Sequence, residues 1–145
     1  MITRAIKRAF KAKKEKKWEK TFWAIDLHET VLKPNWSLKE IPTDFYPRAK
    51  EALQLISSQD DIVLIMYTCS HPPEIAEYLA FFRTQNIYFD YVNENPLVIN
   101  QRYGNYDKKP YFNVLFEDKA GFDPYEDWEP VIETIMEERP SISIR

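Results

Sequence analysis

Four apolar runs of strand length alternate with stretches patterned for helices, and this alternation restricts the possible folds more than any other feature. The runs are "TFWAIDL" (21–27), "DIVLIMYT" (61–68), "IYFDYVN" (87–93) and "NVLFED" (113–118). After the first, Thr43 and Pro47 open a helix whose Ala49, Ala52, Leu53 and Ile56 follow the i, i+3, i+4, i+7 rule. Pro72 and Pro73 open a second, with Ile75, Tyr78, Leu79 and Phe82 on one stripe. Trp128, Val131, Ile132 and Ile135 stripe a last one. The second run is apolar almost throughout, as a strand covered on both faces should be. Strand, helix, strand, helix, strand, strand, helix predicts an α/β domain with a mainly parallel sheet.

Composition narrows the function classes. A chain of 145 residues is most simply one domain, and 44% hydrophobic with 15% aromatic residues argues against intrinsic disorder. Only 2 glycines exclude a glycine-rich nucleotide loop. One cysteine, Cys69, excludes an internal disulfide framework, and with only His28 and His71 beside it structural zinc is not expected. No apolar run reaches membrane-spanning length and no signal-peptide pattern opens the chain, so a cytoplasmic protein is the expectation.

Charge is placed unevenly. Residues 1–20 hold nine Lys and Arg against two Glu, a net of +7, which leaves −10 over residues 21–145. Ile2, Ala5, Ile6, Ala9 and Phe10 in this head fall at helical spacing. It reads as a basic amphipathic helix or arm (1–20) preceding a single α/β domain (21–145). Such a helix serves either as a contact for nucleic acid or an anionic surface, or as a solvated helix packed on its own domain or a partner.

In parallel sheets the working site lies beyond the carboxyl ends of the strands. The first strand delivers Asp26, His28 and Thr30 there. The second delivers Thr68, Cys69 and Ser70, just before a helix N-terminus. The fourth delivers Glu117 and Asp118, with Asp123 after a turn, and Lys108 and Lys109 precede it. Clustered carboxylates repel and call for a cation; hard oxygen ligands with little His or Cys point to Mg²⁺, which engages a substrate phosphate. The Thr68 hydroxyl and adjoining amides suit phosphate oxygens, and a lysine suits the phosphoryl charge. The plainer alternatives are that Asp26 and Asp118 are turn or cap residues, that Thr68 caps the helix opened by Pro72, and that both lysines are solvated.

These residues resemble the motifs of the haloacid dehalogenase (HAD) superfamily of aspartyl phosphotransferases. Asp26, His28 and Thr30 match its Asp-x-Asp-x-Thr, Thr68 its second-strand hydroxyl, Lys109 its lysine, and Glu117, Asp118 and Asp123 its closing acids. The resemblance spans residues 21–137 and implies a three-layer Rossmannoid sandwich. It implies a Mg²⁺-dependent phosphomonoester hydrolase in which Asp26 attacks phosphorus to give an aspartyl-phosphate. Thr68, Cys69 and Lys109 would bind the phosphoryl group. Asp26, the His28 backbone carbonyl, Asp118 and Asp123 would hold the metal.

Two positions depart from the family pattern. His28 stands where family phosphatases carry the Asp that protonates the leaving group; an imidazole can do the same proton work. Lys109 lies nine residues before Asp118, too close for an intervening helix, so Lys108 is its competitor. Only Val31 to Pro42 separate the first motif from the first helix, and Asn95 to Tyr111 is also too short for a domain, so no substantial cap is expected. Among family members that pattern goes with macromolecular substrates or with a neighbouring subunit acting as lid. The expected partner is therefore a phosphorylated small molecule or nucleic acid end, with a homo-oligomer possible. Trp36, Tyr103 and Tyr106 are candidates for the rim of the site. The competing expectation is a HAD-like binding or scaffold domain with weak or no catalysis.

Overall fold

The computed structural model describes residues 1–139. Its elements are α1 (Ile2–Lys16), β1 (Thr21–Ile25), α2 (Ala49–Ser57), β2 (Ile62–Met66), α3 (Pro72–Thr84), β3 (Tyr91–Val92), β4 (Val114–Phe116) and α4 (Trp128–Glu138), with a 3-10 turn at Asp118–Ala120 before α4. The strands form one parallel sheet in the order β3-β2-β1-β4. Ile25 is level with Met66 on one side and Phe116 on the other. The residues that follow these strands therefore leave the sheet along one edge.

Strand alternation divides the apolar side chains between two faces. Trp23, Ile25, Leu64, Met66, Val114 and Phe116 join the buried side chains of all four helices in the main core. Ala24, Val63 and Ile65 form a smaller cluster on the other face, packed by Phe22, Tyr67, Tyr91, Phe112 and Leu115. There the covering layer includes Phe112, from the chain between β3 and β4.

The head is part of the domain. Ile6, Ala9 and Phe10 are buried in the main core, and the Phe10 ring meets Trp23 edge-on at 5.8 Å. Full burial of a side chain such as Ile6 contributes about 1.5–3 kcal/mol. Asp61, just before β2, accepts from Lys13 of α1 at 3.3 Å and pairs with Arg139, which follows α4. Arg139 also donates to Gln59 and lies 5.0 Å from the centroid of Phe10. One carboxylate thus ties α1 and α4 to the amino end of the sheet, opposite Asp26.

Three boundaries differ from expectation. The 87–93 run pairs only at Tyr91–Val92, because Ile87 turns into the core and the Asp90 side chain accepts from the Leu64 amide in place of a strand carbonyl. Asn113 does the same for Phe22 at the start of β4. The helix opened by Thr43 and Pro47 begins only at Ala49: Arg48 is left-handed (φ 65), and the segment before it bonds back to the chain after β1 through Lys33 N to Asp44 O and Tyr46 N to Val31 O.

Candidate active site

Asp26 is the first residue beyond β1, and its amide donates to the Phe116 carbonyl at 3.0 Å. The chain then folds tightly: the Leu27 carbonyl accepts from the amides of Thr30, Val31 and Leu32, with Glu29 left-handed at φ 60. This turn brings Thr30 back beside Asp26. Its hydroxyl lies 3.1 Å from Asp26 Oδ2 and 3.0 Å from Asp118 Oδ1, and it accepts from the Asp118 amide at 3.1 Å. A hydroxyl has one proton, so it can satisfy only one of the two carboxylates at a time. Thr30 is held from behind by the Trp128 indole, which donates to its carbonyl at 2.9 Å while stacking on Phe116.

Carboxylate oxygens of Asp26, Glu117 and Asp118 lie within 4.8 Å of one another. Burial first, and then their closeness, sets their proton affinities. Burial, with the Asp118 charge adding to it and the Thr30 hydrogen bond opposing it, pushes Asp26 up to about 6. Burial, a shared hydrogen bond with Asp118 and the Asp26 charge push Glu117 up to about 7. Burial also acts to raise Asp118, but hydrogen bonds from Glu117, Thr30 and its own backbone outweigh it and hold Asp118 below the usual carboxylate range. One acid of the three is thus kept ionised by proton donation from its neighbours.

His28 and Thr68 follow β1 and β2 at the same edge of the sheet. Nε2 of His28 lies 2.7 Å from the phenol oxygen of Tyr78 on α3, an almost fully buried side chain. No other hydrogen-bond partner of that phenol exists among the described residues. The imidazole tautomer decides which of the two atoms donates in this bond. Thr68 is buried, and Asn93 clamps its backbone: the Thr68 amide donates to Asn93 Oδ1, and Asn93 Nδ2 donates to the Thr68 carbonyl, each at 2.8 Å. The Thr68 hydroxyl is 2.9 Å from Ser70 Oγ and accepts from the Ser70 amide, while the Cys69 thiol is exposed.

Lys109 and Asp123 have contacts of their own, and Asp123 lines an open pocket together with Asp118. Lys109 Nζ lies 5.8 Å from the centroid of Phe112, and neither Lys108 nor Lys109 forms an ion pair among the described residues. Asp123 is engaged as a turn residue, its side chain accepting from the Tyr125 amide and its own amide donating to Asp127. Glu117, which the motif left as a spare acid, takes the third place in the cluster. Tyr78 and Asn93 carried no signal on their own: the first reads as an apolar stripe residue, and the second as the end of a strand. Of the rim candidates, Trp36 and Tyr103 are exposed and Tyr106 packs edge-on against Tyr111 at 5.7 Å.

No protein-family model matches the chain, and no curated protein matches it. The chain is similar in structure to a solved conserved protein from Bacteroides thetaiotaomicron, at 18% identity and a TM-score of 0.62, over 83% of this chain and 93% of that one. The likeness is one of fold, and the chain is an α/β protein of Rossmann-like architecture with a four-stranded parallel sheet flanked by helices.

Proposed function

We propose that the chain is a HAD-type, Mg²⁺-dependent phosphomonoester hydrolase working through an aspartyl-phosphate. The observation that carries this reading is the convergence of Asp26, Glu117 and Asp118 within 4.8 Å at the carboxyl ends of two adjacent parallel strands. The donor set is all oxygen, and no ion pair among the described residues reaches it, which suits a hard cation. Bound there, Mg²⁺ would neutralise the carboxylates and polarise the phosphoryl oxygens.

In this reading a carboxylate oxygen of Asp26 attacks phosphorus, the ester oxygen leaves, and the leaving oxygen takes a proton from His28. With Nε2 engaged by Tyr78, protons pass through Nδ1. His28 then removes a proton from the water that attacks the aspartyl-phosphate, which releases inorganic phosphate and restores Asp26. Thr68 and the Cys69 amide cradle the phosphoryl oxygens. Lys109 would supply the counter-charge to the phosphoryl group.

The position of Lys109 favours the second reading, a binding domain of the same fold with little turnover. Hydrolysis of an aryl phosphate with and without Mg²⁺ separates the two. Metal-dependent release in wild type, absent from Asp26→Asn, supports the hydrolase. Absence of release from wild type between pH 5 and 9 rejects it.

A further inference from the structure

A groove of about 440 Å³ opens directly beside His28, between the first turns of α3 and the loop that spans residues 34–42. This is the size of a small-molecule site. His28 and Tyr78 line it, so it adjoins the imidazole assigned above to the leaving group. Its charge is one-sided: Glu29, Glu40, Glu74 and Glu77 line it against the single cation Lys39. The charges of Glu74 and Glu77 reach the buried wall, where, after desolvation, they are what pushes the Tyr78 phenol up to about 12.

Trp36 also lines the groove, with its ring 85% exposed. The loop that carries it is braced by its own side chains. Asn35 Nδ2 donates to the Glu40 carbonyl at 3.0 Å, and Ser37 Oγ accepts from the amides of Lys39 and Glu40 at 3.1 Å. An exposed indole beside several carboxylates is a favourable setting for an organic cation, which gains both Coulomb attraction and contact with the ring face. The same charges repel a polyanion.

Resting on the hydrolase reading, we infer that the groove receives the leaving group of the substrate, and that this group is a small ammonium-bearing alcohol. The substrate class is thus phosphorylated amino alcohols, and nucleic acid ends are disfavoured by the same charges.

The test compares kcat/KM for phosphoethanolamine, glycerol phosphate and a nucleoside 5′-monophosphate, in wild type and in the Glu74→Gln, Glu77→Gln double variant. The expected preference for phosphoethanolamine over glycerol phosphate is about tenfold, falling to near parity in the double variant. An equal or greater rate with the nucleotide overturns the inference, as does a preference that survives the double substitution. A separate calorimetric titration with choline, which has no phosphate to hydrolyse, reads the groove alone. Choline binding that the double variant loses supports the groove even where no ester is hydrolysed, in which case the hydrolase reading is the one that fails. Absence of choline binding to wild type overturns the groove assignment whatever the esterase result.

Discussion

The indole of Trp128 donates to the carbonyl of Thr30 at 2.9 Å across a separation of 98 residues, and the hydroxyl of that same Thr30 stands between Asp26 and Asp118. The last helix of the main core therefore positions the turn that holds the acids. Trp128→Phe keeps the stacking surface but leaves a buried carbonyl unpaired, at a cost of about 1–3 kcal/mol. Thermal unfolding should show that loss, and turnover should fall with it. Unchanged stability would mean the hydrogen bond is dispensable.

Asp26 and Glu117 hold their protons more tightly in the folded chain than in the unfolded one, with folded values of about 6 and about 7. Their contribution to stability is fully present below about pH 4 and is lost as the pH rises through the folded values. Without divalent metal, the melting temperature should therefore fall between pH 5 and 8. Asp26→Asn should flatten that fall and melt higher than wild type at pH 8. Saturating Mg²⁺ should raise wild type at pH 8 and do little for the variant.

Asp61 titrates in the opposite sense. Burial acts to raise it, but Arg139 and Lys13 outweigh burial and hold it below the usual range. Its contribution is present above about pH 4 and is lost as the pH falls through its lowered folded value. Asp61→Asn leaves two partly buried cations without their anion and should cost about 1–3 kcal/mol in urea unfolding at pH 7. Since Asp61 lies at the amino end of the sheet, kcat should not change.

His28→Ala should lower kcat by about a hundredfold or more. Tyr78→Phe keeps the ring in the core but frees Nε2. It should lower kcat while leaving KM and the melting temperature near wild type. A fall in melting temperature with kcat unchanged would make Tyr78 purely structural. Lys109→Ala, by contrast, should lower kcat by less than about tenfold if the side chain stays over Phe112 during turnover.

The parallel sheet was legible because apolar runs and helical stripes alternate with little ambiguity. The meeting of Asp26 with Asp118 was legible for a related reason: each follows an apolar run, and parallel strands carry such residues to one edge. What the sequence concealed depends on side chains standing in for backbone. Asp90 and Asn113 replace ladder bonds and shorten their strands, which no hydrophobic pattern records. The left-handed turns at Glu29 and Arg48 lack the glycine that marks such conformations. Nor does spacing along the chain show on which ring the Lys109 stem comes to rest, here that of Phe112.

The most direct test of the central claim is covalent. Wild type is mixed with an aryl phosphate and Mg²⁺, quenched in acid on the millisecond scale, and the peptide spanning residues 21–33 is analysed by mass spectrometry. The expected product is a single hydroxylamine-labile phosphoryl group on Asp26, absent without Mg²⁺ and absent from Asp26→Asn. Metal-dependent hydrolysis that proceeds with no phosphoryl group on Asp26, or that persists in Asp26→Asn, would contradict it.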